Sequence, residues 1–364
     1  MTKGEVVRHR LERATAAFVM AIVTASCGSA ADEDLPVVGL VTPTTTAPAP
    51  RDPFLWPFAS DSPWNTPIGT RATFIRVNTD ESVNLLDARV YVYLNAERFS
   101  HPVVRSSETD PAVIVGYRST NTPPFSGDVV ELKIPAQAQP SVGDDAHLHV
   151  VTPDAVAHEF FQFRRTPTGA STRYYTRTDL TGSGIGSGGT RAYGGSAIAG
   201  LLRAWELEQG RVSHALALAL APSQLGRGPV WPAITEDADA ETSYLGTIPM
   251  GSLVAIPPTF DVKGLQLSPA GETMARALQE YGAYVVDRSK SMTFYGEPGL
   301  SAAAVEDIRR DLLVIRPALR LVANNSPTSV GGGGDPVVPL APPLRLPPGR
   351  SVGPIAPAPS AAGG

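Results

Sequence analysis

Short runs of β-branched and aromatic residues recur along the middle of the chain, separated by Pro, Gly, Asn and Asp. They are Thr73–Val77, Arg89–Leu94, Ala112–Tyr117, Val129–Ile134, His147–Val151 and His158–Arg164. Apolar and polar positions alternate within them, which is the period of half-buried strands, and their spacing suits a sandwich or barrel. Arg211 to Leu220 alternates further: Val212, His214, Leu216, Leu218 and Leu220 point one way, Ser213 and the alanines the other. A strand with large residues on one face and alanine on the other belongs inside a layered structure. Helical spacing is rarer. Ser268 caps and Pro269 opens a run in which Met274, Ala277, Leu278 and Tyr281 recur until Gly282, a pattern that predicts a helix. A second helix is expected from Ser301 to about Leu313, and a short one in two pieces across Ser196 to Gln209. The expected fold is mainly β: a single antiparallel β-sandwich, jelly-roll-like, with two or three short helices.

Both ends depart from this pattern. Lys3, Arg8, His9, Arg10 and Arg13 precede an apolar stretch, Ala14 to Ala25, that ends in Val23-Thr24-Ala25-Ser26-Cys27. A basic segment, a short apolar core and small residues before a cysteine read as an export signal with a lipobox-like end over residues 1–27. Lipidation of Cys27 would tether the chain to the outer face of a membrane; an ordinary secretory cleavage nearby is the alternative. Residues 28–51 are Thr- and Pro-rich and read as a linker. Residues 324–364, with Gly331-Gly332-Gly333-Gly334 and Pro-rich repeats, read as a disordered tail. The folded domain is therefore expected over 52–323.

Composition narrows the class. Of 364 residues 42% are hydrophobic, enough for a real core, and the net charge of −5 argues against a nucleic-acid partner. The single cysteine excludes a disulfide framework and a cysteine-rich zinc site. A monomer is expected, touching membrane only through a lipid anchor.

Several stretches carry a resemblance: Asp61-Ser62-Pro63-Trp64-Asn65-Thr66-Pro67-Ile68, Arg211-Val212-Ser213-His214-Ala215-Leu216, Val230-Trp231-Pro232-Ala233 and Ile248-Pro249-Met250-Gly251. Leu278 to Asp287, Asp145-Ala146-His147 and His158-Glu159-Phe160 complete the set. Together they resemble a group of secreted, mainly actinobacterial proteins of unassigned function, with Ala146 where that group carries arginine. The resemblance spans most of residues 54–296 and implies a domain boundary, but no activity.

Candidate chemistry centres on Asp144-Asp145-Ala146-His147-Leu148-His149. On a strand His147 and His149 share a face about 7 Å apart, a spacing for two ligands of one metal or for a base and its partner. No third ligand is apparent, so no metal is assigned; the plainer account packs one histidine under the sheet and exposes the other. His214 is either a core histidine or a site residue facing His147. Arg173, Tyr175, Arg177 and Asp179 share a strand face suited to a carboxylate or sugar, or simply to water. The glycines of 182–189 lack the βαβ setting of a nucleotide loop and read instead as a loop rimming a cleft, with Arg191 beside it. Glu236, Asp237, Asp239 and Glu241 read as a solvated acidic loop, and Trp56, Trp64 and Trp231 as core anchors or a sugar groove. Serine-hydrolase elbows and His-Glu-x-x-His are absent.

Two readings remain open. One is an exported cell-envelope, carbohydrate-active enzyme without cofactor, of polysaccharide-lyase or glycoside-hydrolase type. It would use His147, His214, Asp145 and Tyr175 catalytically and Arg173, Arg177, Arg191 and Trp231 for binding, with arginine neutralising a uronate. In its hydrolase form, Asp145, Glu159 and Asp179 are the candidate carboxylates. The other is a non-catalytic envelope module that binds wall or extracellular polysaccharide, or a partner protein.

Overall fold

The largest sheet is six-stranded and mixed. Its order is Val92–Asn95, Met292–Tyr295, Leu216–Leu220, Ala283–Arg288, Leu253–Ala255 and Arg320–Leu321. The first pair and the 216–220/283–288 pair run parallel, the others antiparallel. These facts come from a computed structural model that describes residues 49–117, 128–186 and 189–349. The signal-like segment, Cys27 and nearly all of the linker lie outside the described residues. No helix among those described is long and apolar enough to cross a membrane.

Strand Leu216–Leu220 is central in this sheet and buried on both faces. Leu216, Leu218 and Leu220 with Ala217 and Ala219 all belong to the main core. Helices Pro269–Glu280 and Ala302–Ile315 pack on each other and on the sheet. Each is opened by a serine, Ser268 and Ser301, whose hydroxyl accepts a first-turn amide as an N-cap should.

A second pair of sheets builds the other half. Val103–Arg105, Leu148–Val151, Val156–Phe161 and Tyr174–Asp179 form one; Asp128–Lys133, Ala112–Tyr117, Gly169–Ser171 and Arg164–Thr166 form the other. Val113, Val115 and Leu132 from one meet Leu148, Val150 and Phe160 from the other in a smaller core. The protein is thus mainly β with few helices, as expected, but its three larger sheets are each mixed rather than antiparallel. Periodicity identifies strands and says nothing about the direction of their partners, so the parallel pairs were invisible in the sequence. Thr73–Val77 forms only an isolated bridge, Phe74 to Val322, and Ser196–Gln209 is helical only over Ala204–Gln209.

The C-terminal segment departs from expectation. Residues 324–349 are not a loose tail but a strap. The amides of Gly69, Thr70, Arg71 and Val337 pair with Gly331, Asp335, Gly333 and Ile68 carbonyls, and Arg51 pairs with Pro343 and Arg345. Gly331 to Gly334 all adopt positive φ, which suits glycine. A Cβ on Gly332 would lie 2.5 Å from Ala72 Cα, and one on Gly69 would lie 2.0 Å from Gly333 O. The glycines that make this segment look disordered are what let its backbone lie flat on residues 67–72.

Candidate metal centre

The site begins with register. Strand Val103–Arg105 pairs in parallel with Leu148–Val151, Val103 opposite His149, so His101, two residues earlier, falls beside His147. Alternation then puts His101, His147 and His149 on one face. Their ligand nitrogens all lie within 4.8 Å of one another, and all three residues are buried. His101 Nδ1 is 3.1 Å from His149 Nε2. That is the distance of a direct imidazole–imidazole hydrogen bond, and it is close to the roughly 3.3 Å between two nitrogens bound to one tetrahedral zinc at about 2.0–2.1 Å.

Across the next antiparallel pairing, His149 faces Glu159. Glu159 is fully buried, with Oε2 3.8 Å from His149 Nδ1. Its Oε1 accepts from Thr178 Oγ1 and its Oε2 from Thr190 Oγ1 and the Ala197 amide, all between 2.7 and 2.9 Å. At this distance Glu159 stands beside His149 Nδ1 without hydrogen-bonding it, where the carboxylate that backs a metal-binding imidazole would be placed. His147 Nδ1 and His149 Nδ1 are buried without a hydrogen-bond partner. Burial, with Arg191 nearby, holds all three imidazoles far below their usual range, His149 down to about 3. They are therefore neutral, as ligands must be.

His101 and His147 line a cleft of about 860 Å³, and His149 lies beneath them. Asp145, Asp237, Asp287, Arg191 and Tyr295 also line the cleft. Asp287 owes its place to a bulge. Leu218 pairs with Val285 but Ala219 with Asp287, so Val286 is the extra residue, and such a bulge re-aims the side chains that follow. The Val286 carbonyl accepts the Tyr193 amide, which ties the Arg191 loop to the same point. Burial pushes Asp287 up to about 7, aided by Asp237 and Asp145 and opposed by Arg191. Burial, then Asp144, also raises Asp145.

Of the residues singled out from sequence, His147, Asp145 and Arg191 meet in this cleft. Tyr175 does not: it pairs with Phe160 and so lies on the opposite sheet face from His149, where its hydroxyl bonds His158 Nδ1 at 2.7 Å. Arg177 shares that face, opposite His158, and exposed Arg173 lies with them beyond the end of the strand, away from the cleft. His214 is a core histidine. Its Nε2 is 3.0 Å from Glu206 Oε1, and although burial pulls its pKa down, Glu206 raises it overall. Trp231 packs edge-on against Tyr284 and does not line the cleft. Glu159 is committed to buried bonds, Asp179 accepts from Thr181, and of the three candidate carboxylates Asp145 is the one that lines the cleft.

Of the described glycines in 182–189, Gly189 lines the cleft, and so does Gly194 beyond that run. Sequence reasoning missed His101, Glu159 as a backing group, and Asp287. The signals were faint: a lone His-Pro, a Glu between His and Phe, an Asp ending an apolar strand. Comparison with family models, with curated proteins and with solved structures finds no match to this chain.

Proposed function

We propose that this chain is an exported cell-envelope enzyme whose chemistry runs on a single divalent transition ion held by His101, His147 and His149. The observation that carries the reading is the convergence of three neutral, buried imidazoles, two of them lining a polar cleft and the third, His149, 3.8 Å from Glu159. His101, His147 and His149 would hold the ion, and two of the three, His101 and His147, line the cleft that a substrate would enter. Bound there, the ion would supply Lewis-acid chemistry, as zinc does when it activates a water or polarises a substrate oxygen. Asp287 and Asp145, both with raised pKa, stand in the cleft as proton carriers.

The size and polarity of the cleft suit a glycan segment, so the substrate class proposed is wall or extracellular polysaccharide, cleaved by metal-assisted hydrolysis or elimination. The test is to follow reducing ends and unsaturated ends across a panel of neutral and uronic-acid polysaccharides, with and without a chelator. Activity lost to the chelator and restored by zinc supports the reading. Activity indifferent to the chelator overturns its metal-dependent form.

A further inference from the structure

We propose that the cleft recognises an oxyanion, a carboxylate or phosphate group of its substrate, through the guanidinium of Arg191. This deepens the reading above and uses the same cleft, but does not depend on the ion. Arg191 is 4% exposed and lines the cleft. Its Cζ sits 3.8 Å over the Tyr295 ring, which fixes the plane of the guanidinium. Nη2 donates to the Ala197 carbonyl at 3.3 Å, while Nε and Nη1 are buried with no hydrogen-bond partner among the described residues. A buried guanidinium with open donors is costly unless something completes it, and its planar fork matches a carboxylate or phosphate.

Among the described residues none reaches Nε or Nη1 within hydrogen-bond distance, although Asp287 and the Tyr295 hydroxyl both feel the charge of the guanidinium. Glu159 is occupied by Thr178, Thr190 and the Ala197 amide. Asp287 Oδ1 accepts its neighbour's amide, Arg288 N. Arg288 itself is taken by Asp239, Asp237 and Ser243, which leaves Arg191 as the buried cation of the cleft. A divalent ion and Arg191 together would set three positive charges against the carboxylates of Asp145, Asp287 and buried Glu159, and an anionic ligand would complete the open donors of Arg191.

The experiment titrates inorganic phosphate and D-glucuronate by calorimetry into the purified protein, once zinc-loaded and once chelator-treated. At least one probe should bind; which one distinguishes a phosphate from a carboxylate source. Arg191→Gln should weaken binding about tenfold or more and Arg191→Lys by less, with zinc uptake unchanged, whereas Asp287→Asn should tighten it several-fold by removing a competing charge. Binding of neither probe to the parent protein overturns the inference. So does unchanged affinity in Arg191→Gln or, should that variant not fold, in both Arg191→Lys and Asp287→Asn. Arg191-dependent binding by a protein that takes up no zinc would sustain this inference while the metal reading fails.

Discussion

Glu159 Oε2 lies 3.8 Å from His149 Nδ1, on the neighbouring strand and directly opposite in register. If that carboxylate orients a ligand, Glu159→Gln should keep the fold and lower zinc affinity about 10–100-fold. Glu159→Ala should in addition destabilise the protein, because Thr178, Thr190 and the Ala197 amide lose a buried acceptor, at about 1–3 kcal/mol for each donor left unpaired. Zinc titration beside chemical denaturation separates the two effects.

The His214–Glu206 pair makes the opposite prediction. It is buried, 3.0 Å apart, and away from the cleft, and Glu206 also closes the cap of helix Ala204–Gln209 by accepting the Arg203 amide. Glu206→Ala should cost about 3–5 kcal/mol of stability, as expected when one partner of a buried pair is removed. Zinc stoichiometry should not change. Loss of zinc in this variant while it remains folded would return His214 to the site.

Stability should depend on pH with two opposed slopes. His149 and His158 are depressed by burial to about 3 and about 4, below the ordinary value near 6.5. The unfolded chain therefore binds more protons between those limits, and metal-free protein should lose stability as pH falls from about 6.5 toward 3. Asp287 is raised to about 7, so the folded state holds the extra proton and this group's contribution declines as pH rises from about 4 to 7. Asp287→Asn should accordingly stabilise the protein more at pH 8 than at pH 4, by on the order of 2 kcal/mol. Denaturation midpoints at the two pH values check the sign.

Truncation after Ala323 removes the strap that pairs with residues 51 and 67–71. Each lost backbone hydrogen bond is worth about 0.5–1.5 kcal/mol net, so the shortened chain should melt several degrees lower than one ending at Gly349. Equal melting temperatures would return the segment to the status of a loose tail.

How much of this could be read from sequence depended on range. Strand Ala112–Tyr117 and the helix after Ser268 follow from periods of two and 3.6 residues and from a cap, all local signals. His147 and His149 sharing a face was likewise legible. His101 was not, because its place beside them depends on a parallel pairing with a partner about fifty residues away, and no local pattern encodes that register. Tyr175 failed for a related reason. Alternation within its own strand is clear, but which face turns to the histidines is set by the pairing Phe160–Tyr175. Asp287 required a bulge at Val286, one residue inserted into an otherwise regular strand. The strap was misread because glycine runs signal disorder by composition and close backbone packing only in context.

The central claim is that His101, His147 and His149 hold one ion together, and metal uptake by the purified protein tests it most directly. Chelator-treated protein is titrated with zinc, then with cobalt, whose visible spectrum reports coordination geometry. The account predicts one equivalent per chain, a tetrahedral cobalt spectrum, and loss of both in His101→Ala, the ligand that only the fold reveals. No uptake by the parent protein, or full uptake by a folded His101→Ala variant, would contradict it.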